Sequence, residues 1–283
     1  MLYVGACVCI YLGLLVANDY SSVETLAHFG LLTADRIWGG AYFGLITSAA
    51  VHFEWWHLAA NAYWLWVLGR PLEQVIGAWR YSAFLIVSAF VSSSYQFAVS
   101  DSTGIGASGV VYAIFGFMWV TRQKYPQLRE VLPWKVIRLF NTWLLMCFII
   151  TYLGVMEIGN AAHLTGLLFG TAIGGFTMRS RRWELLVFGV AGLLIGAVIP
   201  LIWAPWSLTW NMHQAYTAHV DLRYREALMY YTRVIEQEPE NAWAYLNRSI
   251  VHQALLNIKE AEDDQRKALE IDPHIWDMVD EPR

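Results

Sequence analysis

The chain has 283 residues, of which 57% are hydrophobic and 15% charged, with a formal net charge of −4. A soluble domain carries about a quarter charged residues, and here the charges are unevenly divided: residues 1–206 hold 11 Lys/Arg and 9 Asp/Glu, residues 207–283 hold 8 and 14. That division excludes a single soluble globule, a disordered chain and a nucleic-acid binder with a basic face. It implies a polytopic membrane body, with the lipid bilayer as its solvent, carrying a small acidic soluble tail.

A membrane-spanning helix needs about 20 predominantly apolar residues. Seven stretches approach this: 1–17, 52–69, 81–99, 106–121, 137–155, 160–177 and 184–204. The first lacks a basic leader, so a span is favoured there over a cleaved signal peptide. Cys7, Cys9 and Cys147 lie in apolar runs and read as small buried hydrophobes; they form no disulfide framework or metal spacing. No metal and no cofactor is expected.

Basic residues between the spans set an orientation. Arg70 and Arg80 flank spans 2 and 3; Arg122, Lys124, Arg129, Lys135 and Arg138 lie between spans 4 and 5; Arg179, Arg181 and Arg182 lie between spans 6 and 7. The opposite connections, 18–51, 100–105 and 156–159, hold only Arg36. By the positive-inside rule the basic side is cytoplasmic, and an odd number of spans leaves the tail outside. A multi-pass protein of a bacterial inner membrane is expected. Trp38, Trp79, Trp119, Trp134, Trp183, Trp203 and Trp206 fall near span ends, as an aromatic belt does.

Polar side chains inside spans are costly and mark functional sites by default. His52, His57, Asn61 and His163 stand out, with Ser108 added by its setting. His57 and Asn61, four residues apart, share one helix face. His52, five before His57, is expected to point about 140° away from that face. Converging donors suit a developing oxyanion, and equally suit a polar seam between helices.

Span 4 opens with Gly104-Ile105-Gly106-Ala107-Ser108-Gly109. Flanking glycines permit a sharp turn and close approach, and Ser108 then sits in a first helical turn whose free N–H groups favour negative charge. On span 6, His163, Gly166, Gly170 and Gly174 form one stripe; Gly109, Ala113 and Gly116 form another beside Ser108. Small-residue stripes let membrane helices pack backbone to backbone. Such packing would bring His163 to Ser108 as a nucleophile–base pair, with Tyr112 beside the imidazole; the alternative is a simple interhelical hydrogen bond. No Asp or Glu accompanies the pair within the spans, so a two-member machine is expected.

Three ordered motifs, His52-x4-His57-x3-Asn61, Gly106-x-Ser108-Gly109 and Ala162-His163-x2-Gly166-x3-Gly170, together resemble the rhomboid intramembrane serine proteases over roughly residues 35–177. The resemblance implies an all-α fold, a six-helix core over 1–177 with an added seventh span over 178–206. It implies peptide-bond hydrolysis in transmembrane protein substrates near the outer membrane face. Ser108 would be the nucleophile and His163 the general base and then acid. His57, Asn61 and the Ser108 N–H would hold the oxyanion. His52, Gly106, Gly109, Tyr112, Gly166 and Gly170 would support them. The loop ahead of span 2 departs from the pattern, with Tyr42-Phe43-Gly44 where the family often carries Trp-Arg.

The tail, 207–283, repeats itself at a period of 34: Ala227 recurs as Ala261, Tyr224 as Ile258, Val234 as Ala268, Pro239 as Pro273. This resembles a tetratricopeptide helix pair, strongest over 242–273, with Ser249 replacing a usual glycine. Arrays of this kind normally need three or so repeats, so the tail is expected to lean on the membrane body, to bind a partner protein or to self-associate. Two other function classes stay open at this level: a catalytically inactive rhomboid-like protein that binds clients or scaffolds partners through its tail, and a small transporter.

Overall fold

The computed structural model describes residues 2–17, 19, 21–178 and 183–278. Every regular element among the described residues is helical. The chain divides into two compact units, Met1–Trp203 and Ala204–Arg283.

In the first unit, all seven apolar stretches form helices. Span 1 is α1 (Leu2–Val16), packed through Cys7 against Ala50 and Leu58. Cys147 is also buried, whereas Cys9 is exposed on the outer side of α1 and does not fit the expectation of burial. The connection 18–51 is more than a loop: it holds α2 (Val23–His28), α3 (Ala34–Trp38), α4 (Gly44–Thr47) and a 3-10 turn, Ser48–Ala50. The Thr47 hydroxyl donates to Gly30 O at 2.5 Å and ties these pieces together.

Span 2 is broken into α5 (Trp55–Trp64), a π-helical turn (Leu65–Gly69) and α6 (Arg70–Ile76). Pro71 accounts for the break. It has no N–H, and its ring crowds the carbonyl one turn back, so the helix widens just ahead of it.

The remaining elements are α7 (Ala78–Ser100), α8 (Ser108–Thr121), α9 (Pro126–Val131), α10 (Trp134–Tyr152), α11 (Asn160–Thr177) and α12 (Trp183–Ile202). Among the described residues three helices are long and apolar enough to cross a membrane: α7, α10 and residues Glu184–Ile202 of α12. Arg179, Arg181 and Arg182, part of the basic set read from the sequence, lie outside the described residues.

The hub is α8. Every residue from Gly109 to Met118 is buried, so it is apolar all round because it is surrounded all round. Its closest neighbour is α11. A β-carbon on Gly166 or Gly170 would collide with the carbonyl oxygens of Gly109 and Ala113; one on Gly116 would stand 2.5 Å from Leu167 O. On the other side, a β-carbon on Gly109 would meet Ser92 of α7 at 2.7 Å. Ser88, Ser92, Ser93 and Ser94 are buried there as small residues, and Ser92 returns its hydroxyl to Ser88 O at 2.7 Å. Apolar surface gains little by moving from lipid to protein, so backbone-to-backbone contact of this kind supplies the cohesion.

The second unit is two helical hairpins: α13 (Leu208–Val220) with α14 (Tyr224–Gln237), and α15 (Ala242–Ala254) with α16 (Ile258–Ile271). The period of 34 is visible in detail. Ser207 accepts from Trp210 N and Asn241 from Ala244 N, capping the first helix of each pair. Ala227 and Ala261 are both buried, as are Val234 and Ala268. Leu222 and Leu256 occupy equivalent turns at φ of 60° and 62°.

A buried ion pair links three of these helices. Arg248 donates from Nε and Nη2 to the two carboxylate oxygens of Asp264, each at 2.7 Å, and from Nη1 to Thr232 Oγ1 at 3.0 Å. Such a bidentate pair fixes register as well as charge.

Two outcomes test this architecture. Gly170→Ala should lower the unfolding temperature in detergent by forcing α8 and α11 apart, at a cost of about 1–3 kcal/mol. Gly189→Ala, in α12 with nothing within 4 Å of its added carbon, should leave it unchanged or slightly higher. In the tail, Arg248→Met strands the Asp264 carboxylate, a loss of about 3–5 kcal/mol. Hydrogen exchange of the α15 and α16 amides in the full chain should accelerate accordingly, and Arg248→Met combined with Asp264→Leu should restore most of the protection.

Candidate active site

The loop between α7 and α8 delivers Ser108. Its two glycines adopt positive φ, 69° at Gly104 and 89° at Gly106, a backbone that other residues take only at a cost. Gly106 is needed twice over, since a β-carbon there would stand 2.5 Å from His57 Cε1 and 3.3 Å from Asn61 Nδ2. Gly106 N donates to Ser48 O at 3.3 Å, which ties the loop to the turn ahead of α5. Ser108 is then the first residue of α8, where backbone N–H groups lack intrahelical partners.

Across the glycine seam, α11 presents His163 near its N-terminal end. Ser108 Oγ lies 2.7 Å from His163 Nε2. With the hydroxyl donating to Nε2, the imidazole proton resides on Nδ1, and Nδ1 is buried without a hydrogen-bond partner among the described residues. No carboxylate orients this ring. Tyr112 does so by contact instead, its ring centroid 4.8 Å from that of His163 at an interplanar angle of 33°. The Tyr112 hydroxyl donates to Phe140 O at 3.1 Å, and the Phe140 ring stacks on Phe115 at 4.4 Å, so the supporting ring is itself fixed.

His52 requires a correction. It does not point away from the Asn61 face, because α5 begins only at Trp55 and the helical rotation cannot be carried back to residue 52. It is fully buried, and its bonding pattern assigns its tautomer. Ala50 O can only accept, so Nδ1–H donates to it at 3.1 Å. Nε2 therefore accepts, from Asn61 Nδ2 at 3.0 Å and from Ala107 N at 3.4 Å. One imidazole thus joins α5 to the residue preceding Ser108. His57, half-buried one turn ahead of Asn61, stacks edge-on to the His52 ring with centroids 5.0 Å apart.

His57, Asn61, Ser108, Tyr112 and His163 all line one cavity of about 700 Å³. Its far wall is apolar: Trp64 of α5, Val111 of α8, and Leu139, Phe140, Trp143 and Cys147 of α10. The segment Met156–Gly159, just ahead of α11, closes one edge. Among the described residues no group of three His, Cys, Asp or Glu is placed to hold a metal ion.

Two amide side chains inside spans, those of Gln96 and Asn141, are not among the polar residues singled out from the sequence. Gln96, near the end of α7, lines the cavity. Its Oε1 accepts from Ala162 N at 3.4 Å and its Nε2 donates to Ser100 Oγ at 3.1 Å. It therefore holds the first turn of α11, next to His163, against α7. Its signal was available, an amide side chain in an otherwise Ser-bearing span. Asn141 in α10 carries the same signal, but donates to Ile137 O of its own helix at 2.8 Å.

Residues 39–180 match the family model for the rhomboid domain. The chain belongs to the rhomboid family. Similar relatives include the rhomboid protease GlpG of Serratia proteamaculans (strain 568), 35% identical over 136 residues that make up 48% of each chain. The rhomboid protease GlpG of Yersinia pestis (strain Pestoides F) is 32% identical over 165 residues, 58% of this chain and 57% of the relative. The chain thus spans about half the length of the curated relatives it matches. Family membership together with the long apolar helices makes it a multi-pass membrane protein.

Gly106→Ala tests the loop geometry. The positive φ costs about 1–2 kcal/mol with a β-carbon, and the added methyl must displace His57. We expect reduced thermal stability and slowed labelling of Ser108 by a fluorophosphonate probe, whereas Gly40→Ala, also at positive φ but with open space around it, should lose stability alone.

Proposed function

We propose that this rhomboid-family chain is an intramembrane serine endopeptidase of the bacterial inner membrane, cleaving transmembrane protein substrates with a Ser108–His163 dyad. The observation that carries the reading is the 2.7 Å separation of Ser108 Oγ and His163 Nε2 at the floor of a cavity. The named relatives, themselves rhomboid proteases, support it.

The chemistry follows from the placement. Ser108 Oγ–H passes its proton to His163 Nε2 as Oγ attacks the scissile carbonyl carbon. Negative charge moves to the carbonyl oxygen, which meets the Ser108 N–H and the side chains of His57 and Asn61. Asn61 is held for this by His52. The imidazolium returns its proton to the departing amine nitrogen, the C–N bond breaks, and an acyl ester remains on Ser108. Water, deprotonated by the same Nε2, hydrolyses that ester and restores the hydroxyl.

A substrate helix reaches the site from the bilayer between α5 and α10, whose apolar side chains form the far wall of the cavity. The positive-inside rule, applied to the arginine-rich connections, supports a cytoplasmic side for the opposite end of the bundle, and with it cleavage near the outer face and an extracytoplasmic tail. The tail, resembling a tetratricopeptide module, binds a partner protein or a second copy.

Ser108→Ala should abolish fluorophosphonate labelling and lower cleavage of a model transmembrane substrate by at least about a thousandfold. His163→Ala should match it. Asn61→Ala should lose only about ten- to a hundredfold, since two other donors remain. Undiminished cleavage by Ser108→Ala would overturn the assignment.

A further inference from the structure

The cavity is a reaction site on the strength of the Ser108–His163 pair, and its rim carries a separate chemical signature. Its lining residues include two carboxylates, Glu54 and Glu157, with no Lys or Arg beside them. They stand on different segments: Glu54 three residues ahead of His57, Glu157 six residues ahead of His163. Glu54 occupies the N-cap position of α5, where a carboxylate would normally accept from the helix, yet its side chain makes no capping bond. Both residues are exposed. The acidity is not general to the membrane body, which has only 9 Asp and Glu in its first 206 residues.

A second observation points to the same ligand chemistry. Trp56 and Trp143, 45% and 50% exposed, line the cavity as well. Indole faces attract cations, and apolar surface accommodates the methylene stems of Lys and Arg while the charged head stays in water. A cavity lined by exposed carboxylates and exposed indoles together fits an extended polypeptide bearing a basic side chain.

We propose that Glu54 and Glu157 are specificity-determining residues that select transmembrane substrates carrying Lys or Arg within two or three residues of the scissile bond. The proposal rests on the protease reading above and deepens it. A carboxylate about 6 Å from a cation in a water-like dielectric favours it roughly threefold, so the pair favours a basic over a neutral residue by about tenfold and over an acidic one by about a hundredfold at low salt.

The test uses three transmembrane substrates identical except for Lys, Ala or Glu beside the scissile bond, reconstituted with the full chain, and reads kcat/KM for each. The expected order is Lys above Ala above Glu, with the spread shrinking as salt is raised. The double variant Glu54→Gln with Glu157→Gln should bring the three values together, and Glu54→Lys with Glu157→Lys should invert the order; fluorophosphonate labelling of Ser108 shows that each variant is folded. Equal kcat/KM for the three substrates in the wild type, or a preference that survives in the double Gln variant, overturns the proposal while leaving the protease reading intact. If the charge variants fail to label, the wild-type order and its salt dependence decide alone, and an order that salt does not alter counts against the rim. Failure of the wild type both to cleave any of the three and to label at Ser108 overturns the protease reading, and this proposal with it.

Discussion

Everything at the site depends on how closely α8 and α11 approach. Ser108 and His163 sit on different helices, 55 residues apart in sequence, and no loop or bridge joins them directly. What sets their separation is contact between backbones along Gly109, Ala113 and Gly116 on one helix and Gly166 and Gly170 on the other. A single β-carbon in this seam must push the helices apart by a distance comparable to the difference between a hydrogen bond and none. The geometry of the Ser108–His163 pair is thus written into residues that carry no chemistry. The rest of the body serves this contact: α7 packs its serines on the other side of α8, and Gln96 holds the first turn of α11.

Around that seam, rigidity comes from several weak restraints converging on a few atoms. His52 donates to Ala50 and accepts from Asn61 and Ala107, so three chain segments are referred to one buried ring. Tyr112 is pinned through its hydroxyl to α10 and lies across His163. Each bond by itself contributes about 0.5–1.5 kcal/mol. Their value lies in direction, because in a water-poor interior a polar group that leaves its partner finds no substitute.

Much of this was legible in the sequence, for a physical reason. Lipid makes every polar group inside a span expensive, so His57, Asn61 and His163 stood out against apolar neighbours, and the glycine offsets on spans 4 and 6 forecast which faces meet. Where the reading failed, it relied on helix continuity. Residue 52 lies before α5 begins, so a rotation counted along an ideal helix misplaced His52, and Pro71 breaks span 2 in a way a hydropathy window does not register. The helices within 18–51 were missed because each is only four to six residues long and too short to show a period. Gln96 stood out less because it lies in the last turn of its helix, where Ser100 and Asp101 already mark a polar end. The tail's period of 34 was legible in its buried positions, Ala227 with Ala261 and Val234 with Ala268; the caps at the same spacing, Ser207 and Asn241, differ in residue type and emerged only from the structure. The Arg248–Asp264 pair was not, because charge on an acidic soluble tail carries no such contrast.

The unpartnered Nδ1 of His163 is the feature that most distinguishes this site from a triad. A buried N–H with nothing to donate to costs about 1–3 kcal/mol, and a carboxylate would relieve that cost while raising the basicity of the ring. An ionised carboxylate at that depth would carry a larger penalty of its own unless several donors satisfied it. On the proposed mechanism, the imidazolium that forms during reaction is stabilised by the negative charge it creates on the substrate, a few ångströms away, and by the face of Tyr112. Orientation by packing and compensation by the reacting charge together make a third member unnecessary where the bilayer makes it costly.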